Sequence, residues 1–216
     1  MSTIVQKEID KYVARTQGSY KRQKEAEKVL PGGSSRGTAY FEPYPHFIDS
    51  GHGHYIVDVD GNEYLDFMIN ATSLILGHAN ASVADVIKDQ ADKGVAFSGP
   101  TDSQISLAKI LTDRIPSVDT IRFTNSGTEG TLMAIRAARQ FTSREKIVKI
   151  EGGYHGSHEY VAVSVYPSKH SLDPDKTTAI PEYSKQPDSV LEDVIVVPYN
   201  DIEETKRMVE ENSETI

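Results

Sequence analysis

The chain has 216 residues, enough for one sizeable core or a medium domain with a smaller appendage, and its apolar and charged content is ordinary for a globular protein. A formal charge of −9 without a basic cluster argues against a nucleic-acid partner, and zero cysteines exclude disulfides, thiolate metal sites and a cysteine nucleophile. No stretch has the apolar core of a signal peptide or the length of a membrane span, so a cytoplasmic protein with no membrane partner is expected.

Residues 3 to 29 place Ile4, Val5, Ile9, Tyr12, Val13, Tyr20, Ala26 and Val29 among charges, a helical pattern interrupted near Gly18 and stopped by Leu30-Pro-Gly-Gly. The Gly- and Pro-rich run from Ser34 to His46 carries three aromatics, which implies a loop lying against something. His54 to Val59 and Glu63 to Phe67 flank Asp60-Gly-Asn, the pattern of a β-hairpin around a tight turn. Helical patterns follow at Val83 to Lys93 and Ser103 to Arg114. From there the order is strand (Thr120 to Phe123), helix (Thr128 to Phe141) and strand (Lys146 to Ile150), with a further buried strand at Val194 to Val197 and a helix at Ile202 to Glu211. Alternation of this kind predicts an α/β fold with parallel strands and right-handed crossovers. The stretch 167 to 190, rich in Pro, Ser, Asp and Lys, reads as an excursion or flexible loop. Three parallel strands by residue 197 describe an incomplete sheet.

Two loops carry the chemistry. Thr124-Asn-Ser-Gly-Thr-Glu129 joins a strand to a helix, so unpaired N–H groups, two hydroxyls and the positive end of the helix dipole converge where a phosphate would be held. Ser126 with Glu129 three residues on is also an ordinary capping box, the plainer reading of the hexapeptide alone. Glu151-Gly-Gly-Tyr-His-Gly156 follows the next strand, and in an open α/β sheet both loops face the same crevice, making Tyr154 a neighbour of Ser126. Glycines there let the backbone approach a flat ligand while Tyr154 or His155 offers a ring. Two such loops at corresponding strand ends move the first one toward a phosphate. His52 with His54, and His155 with His158 and Glu159, are poor metal sets because hairpin and loop roles explain them better, so no metal is expected.

With Asp58-Val-Asp-Gly-Asn-Glu-Tyr-Leu-Asp66, Leu76-Gly-His78 and Pro198-Tyr-Asn-Asp201 in order around these loops, the chain from about Leu30 to Asp201 resembles the class III aminotransferases, which depend on pyridoxal 5'-phosphate. The resemblance extends to glutamate-1-semialdehyde aminomutase and to β-amino-acid aminotransferases. It implies the fold-type-I architecture: residues 1–75 as the N-terminal helix, substrate loop and β-hairpin arm of the small domain, and 76–216 as the first half of the large cofactor-binding domain. It implies further that Ser126, Gly127 and Thr128 bind the cofactor phosphate, that Tyr154 stacks on the pyridine ring with His155 shaping the loop, and that Arg36 binds the substrate carboxylate. Substrates would be an amino acid and a keto acid, and the full-length protein a homodimer. The aminomutase usually has Ser-Pro-Val-Arg in the first loop and a tryptophan near Asn70 to Thr72; Ser35-Arg-Gly-Thr and the lack of tryptophan favour an aminotransferase. The Schiff-base lysine and the aspartate at the pyridinium nitrogen match nothing in this chain, so no catalytic residue is assigned and the chain alone is expected not to transaminate.

Overall fold

A computed structural model describes residues 3–36, 39–166 and 179–216, which form two compact units, Met1–Pro100 and Thr101–Ile216. The first opens with helices α1 (Thr3–Arg15) and α2 (Gln17–Ala26). Their break falls at Thr16, not at Gly18, and the reason lies far along the chain. The Asp60 carboxylate accepts Gly18 N–H at 2.5 Å, Ser19 N–H at 2.9 Å and the Ser19 hydroxyl at 3.0 Å, so a hairpin residue caps α2 where Thr16 makes no side-chain cap bond.

Strands β1 (Ile48–His52), β2 (Tyr55–Asp58) and β3 (Glu63–Leu65) form an antiparallel meander in that order. The expected hairpin is β2–β3, with Gly61 at φ 80° in its turn. β1 was not expected, because Ile48-Asp-Ser-Gly-His has one apolar residue and no alternation; backbone pairing to β2, irregular between Ile48 and Ser50, makes it a strand. The interior of this unit is polar: Thr16, Ser19, Gln23 and Asp58 are buried beside Tyr44. After the meander comes an unusual turn, Ile69 to Thr72, in which four consecutive non-glycine residues have φ of 39°, 51°, 53° and 68°. Left-handed backbone costs an L-residue about 1–2 kcal/mol. Helix α3 (Ala81–Ala91) closes the unit, capped by the Asn80 side chain on Val83 N–H.

The second unit contains α4 (Asp102–Arg114), α5 (Gly127–Thr142), β4 (Ile147–Ile150), α6 (Asp188–Glu192), β5 (Val194–Val197) and α7 (Ile202–Glu211). β4 and β5 pair in parallel, Ile147 opposite Val194 through Ile150 opposite Val197. Val163, Val190, Val194 and Val196 form the core, with Ile147, Tyr160 and Leu191 packed on it. The strand expected at Thr120 to Phe123 is not one among the described residues. The segment has no ladder partner among the described residues, and a strand is defined by its neighbours. The first half of the excursion expected at 167 to 190, residues 167–178, lies outside the described residues; the short helix α6 begins at its end.

Candidate functional site

The first expected site loop forms the N-terminus of α5. Ser126 is the N-cap, extended at φ −154°, and its hydroxyl accepts Glu129 N–H at 3.2 Å. Glu129 reaches back to Asn125 N–H at 2.8 Å, so the capping box exists in a form shifted by one residue. It leaves something over. The N–H groups of Gly127 and Thr128, the first two of the helix, have no hydrogen-bond partner among the described residues, and Ser126 and Gly127 are exposed. Two free donors at the positive end of a 16-residue helix, flanked by two hydroxyls, fit a phosphate.

The second loop is fastened to the same helical turn. Ser157 N–H approaches Thr128 Oγ1 at 3.3 Å, and the Thr131 hydroxyl lies 2.8 Å from the His155 carbonyl and 3.2 Å from His158 Nε2. Gly156 is buried at φ 109° against Thr128, where a Cβ would lie 2.7 Å from Oγ1. Tyr154, 64% exposed, is therefore held on a loop docked to the phosphate-fitting turn while its ring stays open. The His155 ring folds back over Gly153.

Lys149 and Thr131 were missed by sequence reasoning. Lys149 is buried in β4, and its ammonium donates to the Gly153 carbonyl at 2.6 Å and to Ile150 at 3.1 Å, tying down the approach to Tyr154. Burial pushes its pKa below the usual lysine value. A charge inside the apolar run Ile147-Val-Lys-Ile was the available signal, since a buried ammonium must find acceptors at the end of its strand. Thr131 offered no such signal.

Arg36 lies in the first unit. Its Nη1 donates to Asn70 Oδ1 at 2.9 Å, and it lines a cavity of about 610 Å³ with Tyr40, Phe41, His46 and Phe67. Asp66 accepts Met68 and Ile69 N–H and lies 2.7 Å from His78 Nε2. The His78 contact foremost holds its carboxyl below the ordinary range. His52 faces Glu63 at 3.1 Å, and no group of three metal-ligating side chains is assembled among the described residues.

Residues 39–216 match the profile of the family described as Aminotransferase class-III. The chain belongs to the class-III aminotransferases. Of curated relatives of this aminotransferase chain, glutamate-1-semialdehyde 2,1-aminomutase 1 of Listeria welshimeri is 42% identical over 201 residues, 92% of this chain and 46% of that protein. The glutamate-1-semialdehyde 2,1-aminomutase of Methanocaldococcus jannaschii is 40% identical over 192 residues, 89% of this chain and 44% of the relative. An omega-transaminase structure from Sphaerobacter thermophilus superposes with a TM-score of 0.88 at 43% identity, covering 92% of this chain and 45% of the other. At 35% identity and a TM-score of 0.87, a transaminase with PLP bound is covered to 46% by 93% of this chain. The class-III aminotransferase chain thus spans about half the length of the curated relatives it matches. Its fold is that of the fold-type-I pyridoxal-phosphate enzymes, α/β with a partial sheet.

Proposed function

We propose that the full-length protein is a pyridoxal-phosphate-dependent aminotransferase that moves an amino group between an amino acid and a keto acid, and that this chain supplies its phosphate cradle and ring platform. One observation carries the reading: among the described residues the N–H groups of Gly127 and Thr128 have no partner, at the helix turn to which the Tyr154 loop is docked. The Ser126 and Thr128 hydroxyls and these two N–H groups would hold the phosphate, the Tyr154 ring would lie on the pyridine, and His155 would keep the loop closed. Arg36 would orient the substrate carboxylate, a task suited to a planar guanidinium fork. When bound, the cofactor supplies an electron sink for bond breaking beside the amino nitrogen. The lysine and aspartate that this chemistry needs would come from beyond these 216 residues, so the chain alone would bind weakly and not turn over. A cytoplasmic homodimer is part of the same reading, supported by the exposed apolar residues of the first unit.

The 40–42% identity to glutamate-1-semialdehyde aminomutases favours a second reading, an aminomutase. Against it stand the missing tryptophan and the 43% identity to an omega-transaminase. A protein that keeps the cradle but binds without catalysis is the third. Full-length protein incubated with pyridoxal phosphate should show a visible absorption band that borohydride erases while fixing the cofactor to the chain; no such band would leave only the binding protein. Ser126→Ala combined with Thr128→Val should weaken cofactor binding about tenfold or more, as expected for lost hydrogen bonds to a charged group. Release of 5-aminolevulinate from glutamate-1-semialdehyde without a keto-acid acceptor would decide for the aminomutase, and amino transfer to pyruvate for the aminotransferase.

A further inference from the structure

The left-handed turn from Ile69 to Thr72 is held at both ends. Asp66 Oδ1 accepts the N–H groups of Met68 and Ile69 at its start, and Thr72 N–H closes it on the Met68 carbonyl at 3.1 Å. Farther along, Asp66 Oδ2 lies 2.7 Å from His78 Nε2, and the His78 backbone exchanges hydrogen bonds with Gly53 at 2.9 and 2.7 Å. A clasp of this kind maintains a conformation that L-residues avoid. Of the two polar side chains on the turn, Asn70 and Thr72, Asn70 is held in a fixed orientation. Asn70 Nδ2 donates to Ser73 Oγ at 3.0 Å, and because that hydroxyl donates to the Asn70 carbonyl it must act as acceptor toward the amide. Oδ1 is thereby left facing Arg36, whose Nη1 it receives at 2.9 Å.

The partner chosen for Arg36 matters. A neutral carboxamide orients the guanidinium without neutralising it, and Arg36 forms no ion pair among the described residues. Asp66 lines the same cavity, but its oxygens are committed to His78 and the turn. Arg36 lines a cavity of about 610 Å³ whose walls include Tyr40, Phe41, Tyr64 and Phe67. Apolar walls with one oriented cation describe a site for an acid with an apolar body.

We propose that Asn70 is a specificity-determining positioning residue: carried on the clasped left-handed turn, it aims Arg36 at the carboxylate of a substrate whose apolar part lies against the aromatic wall, selecting carboxylates over uncharged analogues. The inference rests on the reading of Arg36 as the carboxylate anchor. Full-length protein would be titrated calorimetrically with two probes, 3-phenylpropanoate and its primary amide, which differ in charge and little in shape. The wild-type protein should prefer the acid by about tenfold or more, the size expected of hydrogen bonds to a charged partner. Asn70→Gly takes the left-handed conformation freely, so its melting temperature should hold or rise, yet it should lose about tenfold in affinity for the acid and none for the amide. Asn70→Asp should lose at least as much, because it neutralises the guanidinium. Arg36→Met should abolish the preference. If Arg36→Met keeps the preference, or the wild-type protein has none, the anchor reading falls and the proposal with it. If Arg36→Met loses the preference but Asn70→Gly retains it, or loses both probes equally, the proposal for Asn70 alone is overturned.

Discussion

Asp58 is buried beneath the β2–β3 turn with both oxygens taken, by the N–H groups of Asp60 and Asn62 at 2.9 and 2.8 Å, the Asn62 amide at 2.9 Å and the Tyr64 hydroxyl at 2.8 Å. Burial by itself would raise its pKa; the donors of Asn62, Tyr64 and Asp60 together outweigh burial and hold it below the ordinary range. Tyr64 responds in the opposite sense, its phenol pushed up to about 12 by burial and by the carboxylate. The sign of the pH effect follows. A carboxylate more acidic in the folded state stabilises fully above its unfolded pKa of about 3.9, and that stabilisation fades as pH falls through the folded value. Asp58→Ala should cost on the order of 3 kcal/mol, since several buried donors lose their acceptor at once. Thermal melts between pH 6 and pH 3 should show a lower plateau for the variant and a flattened acid limb. An acid limb as steep as that of the wild-type protein would show that the stability comes from elsewhere.

At the level of elements, the docking of the loop after β4 onto the first turn of α5 depends on Gly156, whose φ of 109° and closeness to Thr128 leave no room for a side chain. Gly156→Ala should lift the loop off the helix, lowering pyridoxal-phosphate affinity of the full-length protein about tenfold by absorbance titration while the circular dichroism spectrum holds. Unchanged affinity would mean that Tyr154 does not depend on this contact. Elements with local causes were legible in the sequence: α5 with Ser126 and Glu129, and α7 with Asp201 accepting Glu204 N–H at 3.0 Å, announce their own starts. Elements with distant causes were not. β1 exists through β2, the α1–α2 break is set with Asp60 more than forty residues away, and Thr120 to Phe123 has a strand's composition without a neighbour among the described residues. The site divides in the same way. Ser126 to Thr128 and Tyr154 to His155 are consecutive residues with a recognisable order, whereas Lys149, Thr131 and the Asn70 turn acquire meaning only from partners brought by folding.

Across the whole molecule the two units rest on different interiors, one a hydrogen-bonded set of Thr16, Ser19, Gln23 and Asp58, the other a packed group of valines. Large apolar side chains remain outside both: in the first unit Ile75 is 88% exposed, Val86 67% and Val95 78%. The 216-residue chain should therefore bind the dye 1-anilinonaphthalene-8-sulfonate under native conditions, measured as enhanced, blue-shifted emission before any unfolding. Emission no higher than that of a fully covered globular protein would contradict the exposure of these residues. The valine interior of the second unit also sets how the chain meets the cold. Apolar burial loses its driving force as water cools, while hydrogen-bonded carboxylates and hydroxyls do not depend on it. Near freezing, the order of fragility within the chain shifts toward the half built on valine.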